Sequence, residues 1–548
     1  MQDTKNLILA CVLCVLVLTL WGPFAQYMGW IVPPDPAEIA QREEEVKQEK
    51  AKAEERKKEA ERAANLPTFV PSKGRDIVID TPLYKAVVYS GGGLLKSFKL
   101  KKYHTQIGEN TPLVDLVSEL TSSVAPLGLV INSQPSWSTG KWTMEDDVSD
   151  LSFSDGNKTL RFIGEVDNIR VIRELSFDAK TYLIKEKISL INKGDQDRSV
   201  RVSYTVAMDR SNSTDSQYDA MRIAWDEDGK LKEENSEKTL MSTGIQSIGN
   251  IYWAGAMSTY FLAAVMPERS DNLTIKGLMQ KGVYRTALEE PDIVLKGNGE
   301  NTLSTAYWFG PKDRREILLV SEQLGKSIDL GFFGIIGKAL MWLLEFFYSY
   351  VQNWGIAIIL LTILIKALFW PLTAKSYSSM EKMKKLQPQM TALREKYKDD
   401  KEKMNKEVMA LYKTYGVNPA SGCVPVLIQL PVFFGLYQAL LSAIELRHAS
   451  FITYLPFTDS YWLADLSSKD PFYITPIIMG LTMFLQQKMS PSAPDPMQQR
   501  IMMFLPLIFT VLFLGFPSGL VIYWLLNNIL SIFQQWMMIK KNKGAKAK

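Results

Sequence analysis

Lys366 interrupts an otherwise apolar run, Trp354-Gly-Ile-Ala-Ile-Ile-Leu-Leu-Thr-Ile-Leu-Ile-Lys-Ala-Leu-Phe-Trp-Pro371. An ammonium at the centre of a spanning helix costs about 2.5–3.5 kcal/mol on insertion scales, so a lysine kept there faces water or a partner. Its chemistry would be electrostatic, drawing anionic groups to a place where lipid would repel them. Thr362, one turn away on the same face, adds a hydroxyl. The competing reading is a snorkelling lysine. Lys375 marks the polar end of the helix, nine residues on and about 13 Å away at the α-helical rise, and a lysine stem covers part of that distance.

Other chemistry is sparsely supplied. Three cysteines and two histidines exclude a disulfide framework and a Cys/His-rich metal site. Cys11, Cys14 and Cys423 lie in or near apolar runs and read as small buried residues. Gly91-Gly-Gly and Gly297-Asn-Gly read as turns; neither a Lys-Ser/Thr pair nor a helix pattern follows the glycine triplet, so it is no phosphate loop. No cofactor is implied.

The elements that position Lys366 come from the distribution of apolar residues. They make up 46% of the 548 residues, and the long runs fall at Leu7–Phe24 and after residue 330. Residues 1–32 read as an uncleaved signal anchor, since no Ala-x-Ala-like site follows the first run. A charged linker, 33–67, follows and is expected to decouple mechanically what comes next. Residues 68–330 form an all-β domain. Its alternating runs are Asp76–Asp80, Tyr84–Tyr89, Ile169–Phe177 and Val200–Val206. Residues 331–349 carry Phe332, Phe333, Ile335, Ile336, Leu340, Trp342, Leu343, Phe346 and Phe347 with only Lys338 and Glu345 as charges, which predicts an amphipathic interfacial helix.

Four spans are expected after the one holding Lys366, at Gly422–Ile444, Phe472–Lys488, Ile501–Gly515 and Phe516–Ile539, giving six transmembrane helices, five of them in a core at 350–539. Eleven Lys/Arg between Lys375 and Lys413, and five lysines in the tail 540–548, place that loop and both termini in the cytoplasm. The β domain then lies in the periplasm. Within the loop, 375–415, apolar residues at Met380, Met383, Leu386, Met390, Leu393 and Tyr397 and at Met404, Val408, Leu411 and Tyr415 predict an antiparallel helical hairpin, with Pro388 kinking its first arm. The methionines serve either as packing seam or as an adaptable surface for an apolar client.

Several stretches are more specific than composition. They include Asn353-Trp-Gly-Ile-Ala-Ile, Ile365-Lys-Ala-Leu-Phe-Trp-Pro-Leu-Thr373, Gly416-Val-Asn-Pro-Ala-Ser-Gly-Cys423, Leu427-Ile-Gln-Leu-Pro-Val-Phe433, Asp495-Pro-Met-Gln-Gln499 and Phe516-Pro-Ser-Gly-Leu-Val-Ile-Tyr-Trp524. In them the chain resembles the YidC/Oxa/Alb membrane protein insertases, in particular the bacterial YidC branch with a large periplasmic domain. The likeness covers every domain and is densest from residue 350.

The resemblance implies a positively charged hydrophilic groove open to cytoplasm and lipid. Lys366 replaces an arginine common in bacterial relatives, which keeps the charge and loses the bidentate fork. Thr362, Gln429, Asn527 and Asn528 would hydrate the groove, or else hydrogen-bond between helices. Phe433, Tyr523 and Trp524 would contact the client, or else anchor at the interface. The periplasmic domain would be a β-supersandwich similar to sugar mutarotases. With His104 its only histidine, mutarotase acid–base catalysis is not expected.

The function implied is a non-enzymatic inner-membrane insertase and chaperone for nascent membrane proteins. It would work alone or with the Sec translocon (SecYEG, SecDF), in contact with membrane lipid and with ribosomes through the basic tail and cytoplasmic loops. Bottom-up, a solute or anion transporter using Lys366 is the alternative, but the five later spans show no internal repeat.

Overall fold

The computed structural model describes residues 68–70, 74–108, 110–139, 141–145, 148–212, 219–397, 400–416, 424–489 and 496–544. All but Ser242–Gly244 belong to one compact unit. The expected signal anchor, the charged linker and the last four tail residues lie outside the described residues.

The first half is all β. A nine-stranded sheet is built around the consecutive antiparallel strands Asn157–Val166, Ile169–Asp178 and Leu183–Asn192, continued by Glu300–Pro311, Phe261–Pro267, Ile251–Met257, Arg222–Glu227 and Lys230–Glu234. Sheets of six, five and two strands complete the domain, the five-stranded one containing Asp76–Asp80 and Tyr84–Tyr89. Ile169–Asp178 alternates in burial along its length, as expected of a sheet with one wet face. Val202–Asp209 differs from the alternating strand expected at Val200–Val206. It is buried at every position, because it pairs with Leu129–Ile131 on one side and Val283–Glu289 on the other while both its faces are covered.

One ionic network lies in this apolar core. Arg173 is fully buried and bonds to Glu186 and to the carbonyls of Gly92 and Leu127; Glu186 also accepts from the Tyr307 hydroxyl at 2.7 Å. Every arm of the guanidinium is thus engaged, the condition under which a buried charge is tolerated. The carbonyl it takes belongs to the glycine turn, where Gly92 and Gly93 adopt φ of +115° and +69°.

The second half is helical. Helix α1 (Gly334–Val351) buries Leu340, Met341 and Leu344 and exposes Ile335, Trp342, Phe346 and Tyr350. Gln352, at φ +50°, ends it. Asn353 then caps α2 (Trp354–Lys396) by accepting from the Ile356 amide at 3.0 Å. This helix of 43 residues passes through Pro371 and Pro388, so the span holding Lys366 and the first arm of the expected hairpin are one element, about 65 Å long. The chain returns in α3 (Lys401–Thr414), and the seam between the arms contains Met383, Leu386, Met390, Val408, Leu411 and Tyr412. Tyr412, not the expected Tyr415, fills it, being the next step of the four-residue repeat from Val408; its hydroxyl donates to the Met390 sulfur at 3.4 Å. Tyr415 is exposed.

Helices α4 (Val424–Ser442), α5 (Ile474–Met489), α6 (Pro496–Phe513) and α7 (Ser518–Gly544) fall within a few residues of the four later spans expected from sequence. Among the described residues one helical stretch, Trp354–Met383, is by itself long and apolar enough to cross a membrane. Helices α1 and α4 meet at paired glycines: a Cβ on Gly337 would stand 3.0 Å from the Gly435 carbonyl oxygen.

The expected mechanical independence of the β domain is not met. Ile444, just past α4, is buried in the β-domain core. Arg447 donates to the His104 carbonyl at 2.7 Å and lies 5.4 Å over the Phe261 ring. Gln438 and Ser442 donate to the Asp329 carbonyl, and Arg315 pairs with Glu345 of α1 at 2.6 Å. His104 is half-buried in this seam, with Nδ1 2.9 Å from the Thr111 carbonyl.

Candidate functional site

Lys366 lies on the face of α2 that packs against α7, and only 8% of it is exposed. Its Nζ donates to Ser531 Oγ at 2.7 Å, and the Ser531 hydroxyl donates in turn to the Asn527 carbonyl at 2.7 Å. The Tyr377 hydroxyl joins Ser531 from further along α2 and also reaches Gln486 of α5. One turn beyond Ser531, Gln534 Nε2 donates to Thr373 Oγ1 at 2.6 Å and to the Trp370 carbonyl at 3.2 Å. Asn528 reaches Thr482 of α5 at 3.5 Å. Gln535 is buried with Oε1 unpartnered.

These groups form a polar ladder. Lys366, Trp370, Thr373 and Tyr377 follow one another at the three- and four-residue steps that line a helix face, and on α7 Asn527, Asn528, Gln534 and Gln535 each stand three or four residues from Ser531. The ladder carries one positive charge and, among the described residues, no carboxylate in ion-pair range of it. A buried ammonium left without a counter-charge costs several kcal/mol. One neutral hydroxyl recovers part of that, since a hydrogen bond to a charged group contributes roughly 1.5–3 kcal/mol. The positive charge of the site is therefore only partly compensated by its described neighbours.

The residues singled out from sequence divide into two sets. Thr362 is buried one turn from Lys366, but its Oγ1 donates back to the Ile358 carbonyl at 2.6 Å and does not bond Lys366. Asn527 contributes through its carbonyl and Asn528 through Thr482, while Gln429 on α4 is half-buried and is not a partner of Lys366. Phe433, Tyr523 and Trp524 form a separate aromatic cluster, with Phe433 edge-on to Trp524 at 4.8 Å and stacked on Tyr523 at 6.5 Å; Phe509 and Phe513 extend it on α6. Sequence reasoning missed Ser531, Tyr377, Thr373, Gln486 and Gln534. The signal was there, in the recurrence of polar side chains on one face of an otherwise apolar α7.

Comparison with known proteins separates the helical half of the chain from the β half. Residues 346–546 match the family described as 60Kd inner membrane protein, and residues 76–343 match the YidC periplasmic domain. A relative named membrane protein insertase YidC, from Nitratidesulfovibrio vulgaris strain DP4, is 51% identical over 98% of this chain and all of its own length. Another of that name, from Lawsonia intracellularis, is 48% identical over 98% of this chain and all of its own length. A solved active YidC insertase with its first transmembrane domain resolved is 19% identical, with a TM-score of 0.35, over 85% of this chain and 93% of that one. The chain is thus an inner-membrane protein with a periplasmic domain, and it belongs to the YidC family of membrane protein insertases.

Proposed function

We propose that the polar ladder on α2, α5 and α7 is where this insertase receives the hydrophilic part of a client, with Lys366 drawing acidic residues of the segment to be translocated. The observation that carries this reading is the Lys366 ammonium, nine-tenths buried, bonded to Ser531 and without a counter-charge among the described residues. A polar groove spares the client's hydrophilic segment full exposure to hydrocarbon, while its apolar helix moves along the protein into lipid. The aromatic set Phe433, Tyr523 and Trp524 would provide that apolar path. Driving force comes from client hydrophobicity and from the membrane potential acting on charge. No catalysis is assigned.

The topology that goes with this reading has six spans, both termini and the α2–α3 hairpin in the cytoplasm and the β domain in the periplasm, on the strength of the Lys/Arg asymmetry. The Sec translocon is the expected partner where the protein does not work alone. The basic tail and cytoplasmic loops would dock ribosomes through phosphate contacts, which weaken with salt.

Insertion into protein-free liposomes, with paired clients bearing an acidic or a neutral translocated tail, tests the site. Lys366→Arg should be nearly silent. Lys366→Ala should lower insertion of the acidic client several-fold and Lys366→Glu more, with the neutral client spared. Equal activity of wild type and Lys366→Ala on the acidic client would remove the electrostatic role.

A further inference from the structure

Between α4 and α5 the chain makes a small β-hairpin, Ile452–Tyr454 pairing with Tyr461–Leu463. At its tip the Thr458 amide bonds to the Leu455 carbonyl at 3.0 Å across Leu455-Pro456-Phe457-Thr458, and Phe457 has φ of +66°. Proline at the second position with positive φ at the third defines a type II turn, whose third position favours glycine. This chain places there a phenylalanine that is fully exposed. A bulky side chain held in the left-handed region with no contact among the described residues to repay it is the kind of local violation that marks a functional position.

The surroundings indicate what covers it. Tyr454 and Tyr461 stack at 5.3 Å below the tip and are themselves exposed, and Asp459 is the one charge from Ile452 to Leu463. An aromatic, amphipathic tip with a single charge suits the headgroup level of a bilayer, where tyrosine and tryptophan concentrate. It does not suit a strongly charged partner. The base of the hairpin is fixed where two other outward-facing apolar elements begin or end. Phe451 packs on Gly355 at the start of α2, and its carbonyl accepts from Asn353, the residue that joins the end of α1 to α2. Helix α1 exposes Trp342, Phe346 and Tyr350 up to that junction. Asp470, just past the hairpin, caps α5 by accepting from Thr475, and α5 then exposes Ile477, Ile478 and Leu481.

We infer that the Ile452–Leu463 hairpin is a lipid-binding foot that sets Phe457 into the headgroup region of the leaflet at this end of the bundle. It stands on the protein's residence in the inner membrane and not on the role of Lys366. The side chain adds apolar contact with lipid, and the strained turn directs the ring outward.

The full chain with Cys11, Cys14 and Cys423 changed to Ser, carrying Phe457→Cys labelled with a nitrobenzoxadiazole dye, is reconstituted in phosphatidylethanolamine–phosphatidylglycerol vesicles. Lipid nitroxides near the headgroup should quench the dye at least twofold more than nitroxides deep in the acyl chains. Iodide should quench it at least threefold less than the same dye at Lys158→Cys, an exposed position of the β domain. Full iodide access without lipid quenching would overturn the foot, and so would shielding from iodide without lipid quenching, which would mean a protein cover. In detergent, Phe457→Gly should leave the Tm unchanged or raise it, since the turn is relieved. A lowered Tm would show that Phe457 is a packing residue and would also overturn the inference.

Discussion

The Lys366 ammonium is hydrogen-bonded to one hydroxyl, which makes Ser531 the most informative neighbour. Ser531→Ala removes the acceptor of the ammonium and one partner of Tyr377 while leaving the charge in place. The lost hydrogen bond is of the charge-assisted kind, about 1.5–3 kcal/mol, and a freed lysine regains part of it from water entering the ladder. Insertion of an acidic-tailed client should therefore fall by a few-fold, less than for Lys366→Ala. The double variant should match Lys366→Ala alone, since Ser531 acts through the lysine. Additive losses in the same liposome assay would show that Ser531 works independently. The charge itself was readable from sequence, because a lysine among fourteen or more apolar neighbours is conspicuous; the polar face of α7 was readable too, but not which of its residues meets the lysine, because a serine in a helix more often satisfies itself on the preceding turn, as Thr362 does on Ile358.

At the scale of elements, periodicity located the strands Asp76–Asp80 and Tyr84–Tyr89 and the two arms of the hairpin, since each buries one face against a neighbour. It misjudged Val202–Asp209, where both faces are buried and alternation carries no information. It also ended the Lys366 helix at Lys375, although nothing breaks α2 before Lys396. That continuity matters, for it joins the hairpin to the helix holding the charge without an intervening loop. The seam around Leu386, Met390 and Tyr412 is small, and Leu386 is nearly fully buried in it. Leu386→Ala should cost about 2–3 kcal/mol locally. Hydrogen exchange should quicken in α3 and in α2 beyond Thr373 while the α2 segment around Lys366 stays protected. If exchange rose equally around Lys366, the hairpin and the ladder would be one cooperative unit.

For the whole molecule, the decisive feature is the seam between the β domain and the helices, which no local pattern announces because its partners are hundreds of residues apart. It continues inward: Ser518 and Gly519 at the start of α7 bond to the carbonyls of Asp465, Leu466 and Ser468, in the same loop that carries Arg447. Deleting residues 68–324 should leave insertion in place, because the ladder lies wholly in α2, α5 and α7. It should nevertheless lower the Tm, because Ile444 loses its apolar cover, worth about 1.5–3 kcal/mol; adding Ile444→Ser should recover part of the loss. Within the seam His448 is held neutral at physiological pH, its value pushed down to about 4 by burial and the Arg447 charge. Glu445 behaves differently. Burial raises it to about 7, with Asp313 and Glu345 adding repulsion and Arg315 opposing it. A carboxyl raised in the folded state contributes stability that is complete below its unfolded value near 4.5 and is lost as pH rises through about 7. The seam should accordingly loosen between pH 5 and 8, by at most about 1.4 kcal/mol per pH unit. Glu445→Gln should flatten that dependence and hold the seam at alkaline pH. Hydrogen exchange at Ile444–Arg447, followed from pH 5 to 8 after correction for the intrinsic rate, measures it: an unchanged pH profile in Glu445→Gln would assign the titration to another group.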